Sequence, residues 1–123
     1  MGIKQISLYL LSAFYLIAGL NHFIHPEFYF PLIPKYLVHI ELINYISGIA
    51  EIVLGVGVLF THTRKISALL IIMMLLVFAL SHMYFITMGS CVAGSLCVPE
   101  WVAWIRLLII HPLLIWWVWW IRE

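Results

Sequence analysis

Residues 66–88 read ISALLIIMMLLVFALSHMYFITM, a run without a single Lys, Arg, Asp or Glu. At ~1.5 Å per residue such a run is long enough, as a helix, to cross the ~30 Å hydrocarbon core of a bilayer. Three further apolar stretches surround it, at about Ile3 to Ile24, Leu42 to Phe60 and Trp101 to Ile121, so the predicted spans are 3–24, 42–60, 66–88 and 101–121. The breaks between them carry helix-stopping or polar residues: His25, Pro26 and Glu27 after the first, Thr61 to Lys65 after the second, and a Gly/Ser/Cys/Pro segment from Gly89 to Pro99 after the third. Membrane barrels alternate apolar and polar residues along each strand, and these runs do not. The predicted fold class is therefore all-α, a bundle of four transmembrane helices, with residues 1–123 forming one membrane domain.

Composition agrees. The chain has 123 residues, 66% of them hydrophobic and 9% charged, against roughly a half and about a quarter in ordinary soluble domains. Six Lys and Arg with five Glu cannot cover a water-soluble surface. A net charge of +1, with no basic patch interleaved with aromatics, excludes nucleic acid as a partner and leaves the lipid bilayer. The first span has only Lys4 as a basic leader and no small-residue cleavage site before His22, so it reads as a retained helix rather than a signal peptide.

Orientation follows the cations. Lys4, Arg64, Lys65 and Arg122 fall on one side of the predicted topology and only Lys35 on the other, which puts both termini in the cytoplasm by the positive-inside rule. Trp101 and Trp104 at one end of the last span, with Trp116, Trp117, Trp119 and Trp120 at the other, read as two interfacial belts. In the loop from His25 to Asn44, Phe28, Tyr29, Phe30, Leu32, Ile33, Tyr36 and Leu37 surround Pro26, Pro31 and Pro34. This loop is expected to lie along the interface or fold back over the mouth of the bundle.

Polar residues inside spans cost about 2.5 to 3.5 kcal/mol each when charged and central, and they tend to face protein or water. Asn21 and His22 in the first span, Glu51 in the second, His82 in the third and Arg106 in the fourth all fall roughly 5 to 10 Å below the external surface at ~1.5 Å per residue. Four helices thus place polar groups in one layer, and the opposite half of the bundle is nearly free of them. The expectation is a shared ligand-binding pocket in the external leaflet, with Glu51 and Arg106 as its charge pair and His22 and His82 beside them. A purely structural latch that fixes helix order is the alternative. Gly48, Glu51 and Gly55 share one face of the second helix, where small residues let another helix approach. His111 followed by Pro112 reads as a kink holding a satisfied histidine.

Cys91 and Cys97 bracket a short external loop in which Gly94 and Ser95 can supply a turn. On an oxidising side a structural disulfide is favoured, with a reactive dithiol or two free thiols as the alternatives. The spacing is not C-x-x-C. His22 and His25 are the one histidine pair at helical ligand spacing, and Pro26 breaks the helix beside it, so no metal is expected. No hydrolase or nucleotide motif is present, and the catalytic residues, if any, are unknown.

Ala18-Gly19-x-x-His22-Phe23 followed by Pro26, Phe28 and Pro34, then Ser47-Gly48-x-x-Glu51-Ile52-x-x-Gly55 and Leu59, resembles the DoxX-like family of small four-helix membrane proteins over nearly the whole chain. Departures lie in the fourth span, where Arg106 is followed by Leu-Leu-Ile-Ile-His111 instead of the usual Leu-Pro-x-Gln, and in the third, where Ser81-His82 replaces a Pro and an Asn. The resemblance implies a bacterial inner-membrane protein linked to quinone- or thiol-dependent redox systems or oxidative stress. In that setting it would be an accessory subunit beside a membrane redox partner, with quinone as the candidate cofactor. Relatives acting as assembly factors imply the second reading, a non-enzymatic scaffold held by a Glu51–Arg106 latch. Self-association of the chain is left open.

Overall fold

The computed structural model describes all 123 residues. Helix α1 (Ile3–Ile24) ends where Pro26 cannot continue it, and α2 (Pro26–Tyr29) runs into a 3-10 turn at Phe30–Leu32. Helices α3 (Ile40–Gly57) and α4 (Thr61–Thr87) follow. The fourth crossing is built from α5 (Glu100–Ile105), a π turn at Arg106–Ile110 and α6 (His111–Ile121), one rod from Glu100 to Ile121. Four helices are long and apolar enough to span a membrane, and the fold is the all-α bundle expected.

Two boundaries differ from the sequence reading. The second span starts at Ile40, two residues before the expected Leu42. The break expected at Thr61 to Lys65 is helical, because these polar residues serve the junction between α3 and α4. Thr63 Oγ1 donates to the Gly57 carbonyl (2.7 Å), and Arg64 donates through Nε to Val58 O (2.9 Å) and through Nη2 to Leu59 O (3.3 Å). Carbonyls that α3 leaves unpaired at its end are thus satisfied by the first turn of α4.

Around the bundle the order of neighbours is α1, α3, α4 and the fourth rod. The α1–α3 seam is the tightest, because Gly19 and Gly48 lie against each other: a Cβ added at Gly48 would stand 2.7 Å from His22 Cβ and 2.9 Å from Gly19 O. Small residues at a crossing are how membrane helices gain close packing without a hydrophobic drive between them.

Packing is uneven along the bundle. The half that contains the termini is filled by Leu8, Leu11, Val58, Ile71, Val118 and Ile121, all nearly inaccessible. At the other end a smaller cluster of Phe85, Ile86, Ala103 and Leu107 joins α4 to the fourth rod, with Leu32, Leu96 and Val98 from the loops against it. Between these two lies the cavity described next.

Cys91 and Cys97 lie at disulfide distance, with S–S 2.07 Å, across an antiparallel bridge. The turn between them uses Gly94 in the left-handed region (φ +74°), as its sequence suggests. Ser95 Oγ donates to Glu27 O (3.0 Å), which ties this hairpin to α2.

Candidate functional site: a polar layer in a lipid-facing cavity

A cavity of about 760 Å³ occupies the half of the bundle opposite the termini. Asn21, His22, Glu51, His82 and Arg106, the five residues singled out in the sequence, all line it. Of its 31 lining residues 22 are hydrophobic, so its walls suit an apolar body and its polar groups a single head. Tyr29, Leu32, Ile33, Pro34 and Leu37 from the α2 segment close one end.

One wall is the α1–α3 seam. Gly48 lets His22 sit against α3, where Asn44 and Glu51 meet it from one helix face. The His22 carbonyl can only accept, so the Asn44 amide nitrogen faces it (2.9 Å) and the Asn44 oxygen turns to His22 Nδ1 (2.7 Å). Nδ1 is therefore the donor. That leaves Nε2 facing Glu51 Oε2 at 3.4 Å, both buried. The two groups face each other within ion-pair distance, and Glu51 Oε2 makes no hydrogen bond.

Tyr29 stacks on His22, with ring centroids 3.6 Å apart and planes 13° from parallel. Its hydroxyl donates to Ala18 O (3.3 Å) and accepts from Asn21 Nδ2 (3.0 Å). Burial pushes the Tyr29 phenol above its ordinary range, with the Glu51 charge adding to the shift and the Asn21 hydrogen bond opposing it.

The facing wall is the fourth rod. Pro112 has no N–H to offer the preceding turn, and the helix passes through the π turn at Arg106–Ile110 just before it, with the His111 N–H reaching Arg106 O. His111 is buried, and its Nε2 donates to Leu75 O of α4. Its Nδ1 is then the acceptor for Arg106 Nη1 (3.0 Å). A guanidinium has only donors, so this geometry requires a neutral His111. The expectation of a kink with a satisfied histidine matches, and the histidine also fixes Arg106. His82 lies beside it, its ring 5.5 Å from that of His111.

Glu51 and Arg106 do not form the charge pair expected from the sequence. No carboxylate lies within 4 Å of the guanidinium. The reason is helix order: α3 packs on α1 and α4 but on no part of the fourth rod, so the two charges stand on diagonal walls with the cavity between them. The latch that would have held the bundle is absent.

Sequence reasoning missed Asn44 and Tyr15. Asn44, Gly48 and Glu51 share the i, i+4, i+7 face, which could have revealed the first. Tyr15 lies seven residues before His22 on the same face of α1. It lines the cavity with its hydroxyl buried and without a partner, as is Glu51 Oε2 with respect to hydrogen bonds.

A protein family described as a domain of unknown function, DUF8561, matches residues 11–122. The chain belongs to this family. No curated protein and no solved structure matches it. The DUF8561 match runs from α1 to the end of α6 and so contains every residue of both walls.

Proposed function

We propose that this integral membrane protein binds a quinone-like amphipathic molecule and serves as an accessory subunit of a redox or oxidative-stress system in a bacterial inner membrane. The observation that carries the reading is the cavity of about 760 Å³, mainly apolar, with Asn21, His22, Glu51, His82 and Arg106 gathered on its walls. The residues fit such a group. Arg106 has donors beyond the one spent on His111, and the buried Tyr15 hydroxyl is without a partner. Both could donate to ring carbonyls while apolar walls take the tail. When bound, a quinone would supply electron transfer; the chain's own residues bind and orient it and keep water away. The redox link comes from the DoxX-like resemblance.

In this reading residues 1–123 act as one domain, both termini are cytoplasmic, and the Cys91–Cys97 loop faces the oxidising side. Lys4, Arg64, Lys65 and Arg122 favour that orientation. A scaffold role would have to do without the Glu51–Arg106 latch, so it ranks second.

The test is extraction of lipids from protein purified in native membrane, followed by titration of the delipidated protein in nanodiscs with a quinone. Co-extraction of quinone, or saturable quenching of tryptophan fluorescence through Trp101 in the cavity wall, is the expected result. Absence of both would end the proposal.

A further inference from the structure

The charged groups around the cavity, Glu51 and Arg106, stand apart on helices that do not touch. On the α1–α3 wall, Glu51 faces His22 at 3.4 Å and has no Lys or Arg within 4 Å. Tyr15 and Tyr29 are phenols, uncharged at neutral pH. On the facing wall the bonds to Leu75 O and Arg106 keep His111 neutral. His82, on α4, can only add positive charge. Arg106 stays charged and has no carboxylate within 4 Å. Arg106 is therefore a guanidinium without a contacting anion within a bilayer, where such a charge is costly and seeks one.

A second feature says how a ligand would reach it. Helix α1 packs against α6 but against neither α5 nor the π turn, so α1 and the fourth rod separate along the outer half of the bundle. Cavity-lining residues at this separation, Phe14 and Ile17 on α1 with Trp101 and Ile105 on α5, are also exposed on the lipid-facing surface. A molecule dissolved in the bilayer meets apolar side chains there and Arg106 behind them.

From these two observations we infer that the ligand is an amphipathic monoanion, an oxyanion head on a long apolar tail, which enters sideways from the bilayer between α1 and α5 and docks its head on Arg106. The inference rests on the binding function proposed above and narrows it. The shared chemistry fits a long-chain carboxylate or the deprotonated oxygen of a hydroxyquinone. Tyr15, whose buried hydroxyl has no partner, faces the head from the other wall, and the tail stays between Phe14, Ile17 and Ile105, partly in lipid.

The experiment compares charged and neutral isosteres on the intact chain in zwitterionic nanodiscs. The probes are palmitate against hexadecanol, and a 2-hydroxy-3-alkylquinone against its 2-methoxy ether, with binding followed by Trp fluorescence and calorimetry. Each anion should bind at least about tenfold tighter than its neutral partner, the size of one charge-assisted hydrogen bond. Arg106→Gln should remove the difference, and Ile17→Trp should slow association. The tighter of palmitate and the hydroxyquinone names the source of the head. Equal binding of charged and neutral partners by the unmodified chain would overturn the inference and leave amphipath binding standing. Binding of none of the four would overturn both. The unmodified comparison decides the matter even if Arg106→Gln does not fold.

Discussion

Glu51 and Arg106 line one cavity from helices that do not touch, and each is in contact with a different histidine: His22 at 3.4 Å from the carboxylate, His111 at 3.0 Å from the guanidinium. A direct ion pair would have closed the space between α3 and the fourth rod. Two separate histidine partners keep the charges apart and the space open. The walls differ in kind as well, since one presents a carboxylate and the other a guanidinium.

The close α1–α3 seam makes a first prediction. Gly48→Ala would place a Cβ 2.7 Å from His22 Cβ and 2.9 Å from Gly19 O, with no flexible chain end to yield. The helices must separate, at a cost of about 1 to 3 kcal/mol typical of overpacking. Reversible unfolding in mixed micelles should show that loss. Gly94→Ala, in an open turn at positive φ, should cost less than Gly48→Ala, because it strains only the exposed hairpin.

Asn44 and Asn21 should separate in the same assay. Asn44 is wholly buried and makes both bonds to His22, whereas Asn21 is half-buried with one bond to Tyr29. Asn44→Leu leaves the His22 Nδ1 proton and carbonyl without side-chain partners and should cost about 1 to 2 kcal/mol, near the upper end for hydrogen bonds between membrane helices. Asn21→Leu should cost less than half as much. Equal losses would contradict the triad of Asn44, His22 and Glu51 as the organiser of this wall.

How much of this was legible beforehand follows from what a linear pattern carries. Residues 66–88 and the three similar runs dictate four helices, because nothing else satisfies a backbone in hydrocarbon. The depth of Asn21, His22, Glu51, His82 and Arg106 along their spans also reads directly from residue counting, and all five do line one cavity. Partner choice does not read that way. Whether α3 neighbours the fourth rod or stands diagonal to it depends on packing, which charge alone, pointing to Glu51 beside Arg106, does not encode. Tyr15 was hidden for another reason: an aromatic within an apolar run looks like core, and only its buried, unpartnered hydroxyl distinguishes it. The start of α4 was concealed because Thr61 to Lys65 resemble a loop in composition while acting as a junction between helices.

The Cys91–Cys97 hairpin offers a test of how the end of the cavity is held. Leu96 and Val98 line the cavity, and Ser95 holds Glu27 at the start of the α2 segment. Reduction, or Cys91→Ser with Cys97→Ser, frees a loop whose closure accounts for about 2 kcal/mol by the chain-entropy relation for so short a ring. Amide exchange should then rise across residues 90–98 and, through Ser95, at Glu27 to Tyr29. The protected core around Leu11, Ile71 and Val118 should be unaffected. Unchanged exchange at Glu27 to Tyr29 would show that the hairpin and the α2 segment are independent.

His111 provides the most discriminating variant, because it touches Arg106 and α4 without lining the cavity itself. His111→Phe keeps the bulk but removes the acceptor for Arg106 Nη1 and the donor to Leu75 O, so stability should fall by about 1 to 2 kcal/mol. Freed from its anchor, the guanidinium can swing toward the lipid headgroups, and preference for an anionic amphipath should weaken even in the fraction that remains folded. His111→Gln carries both an acceptor and a donor on one amide and should recover much of the stability together with that preference. If Phe and Gln lower stability alike while anion preference stays at its original level in both, His111 only fills the space beside the π turn. Arg106 would then be aimed by the helix backbone and by its own packing against α4.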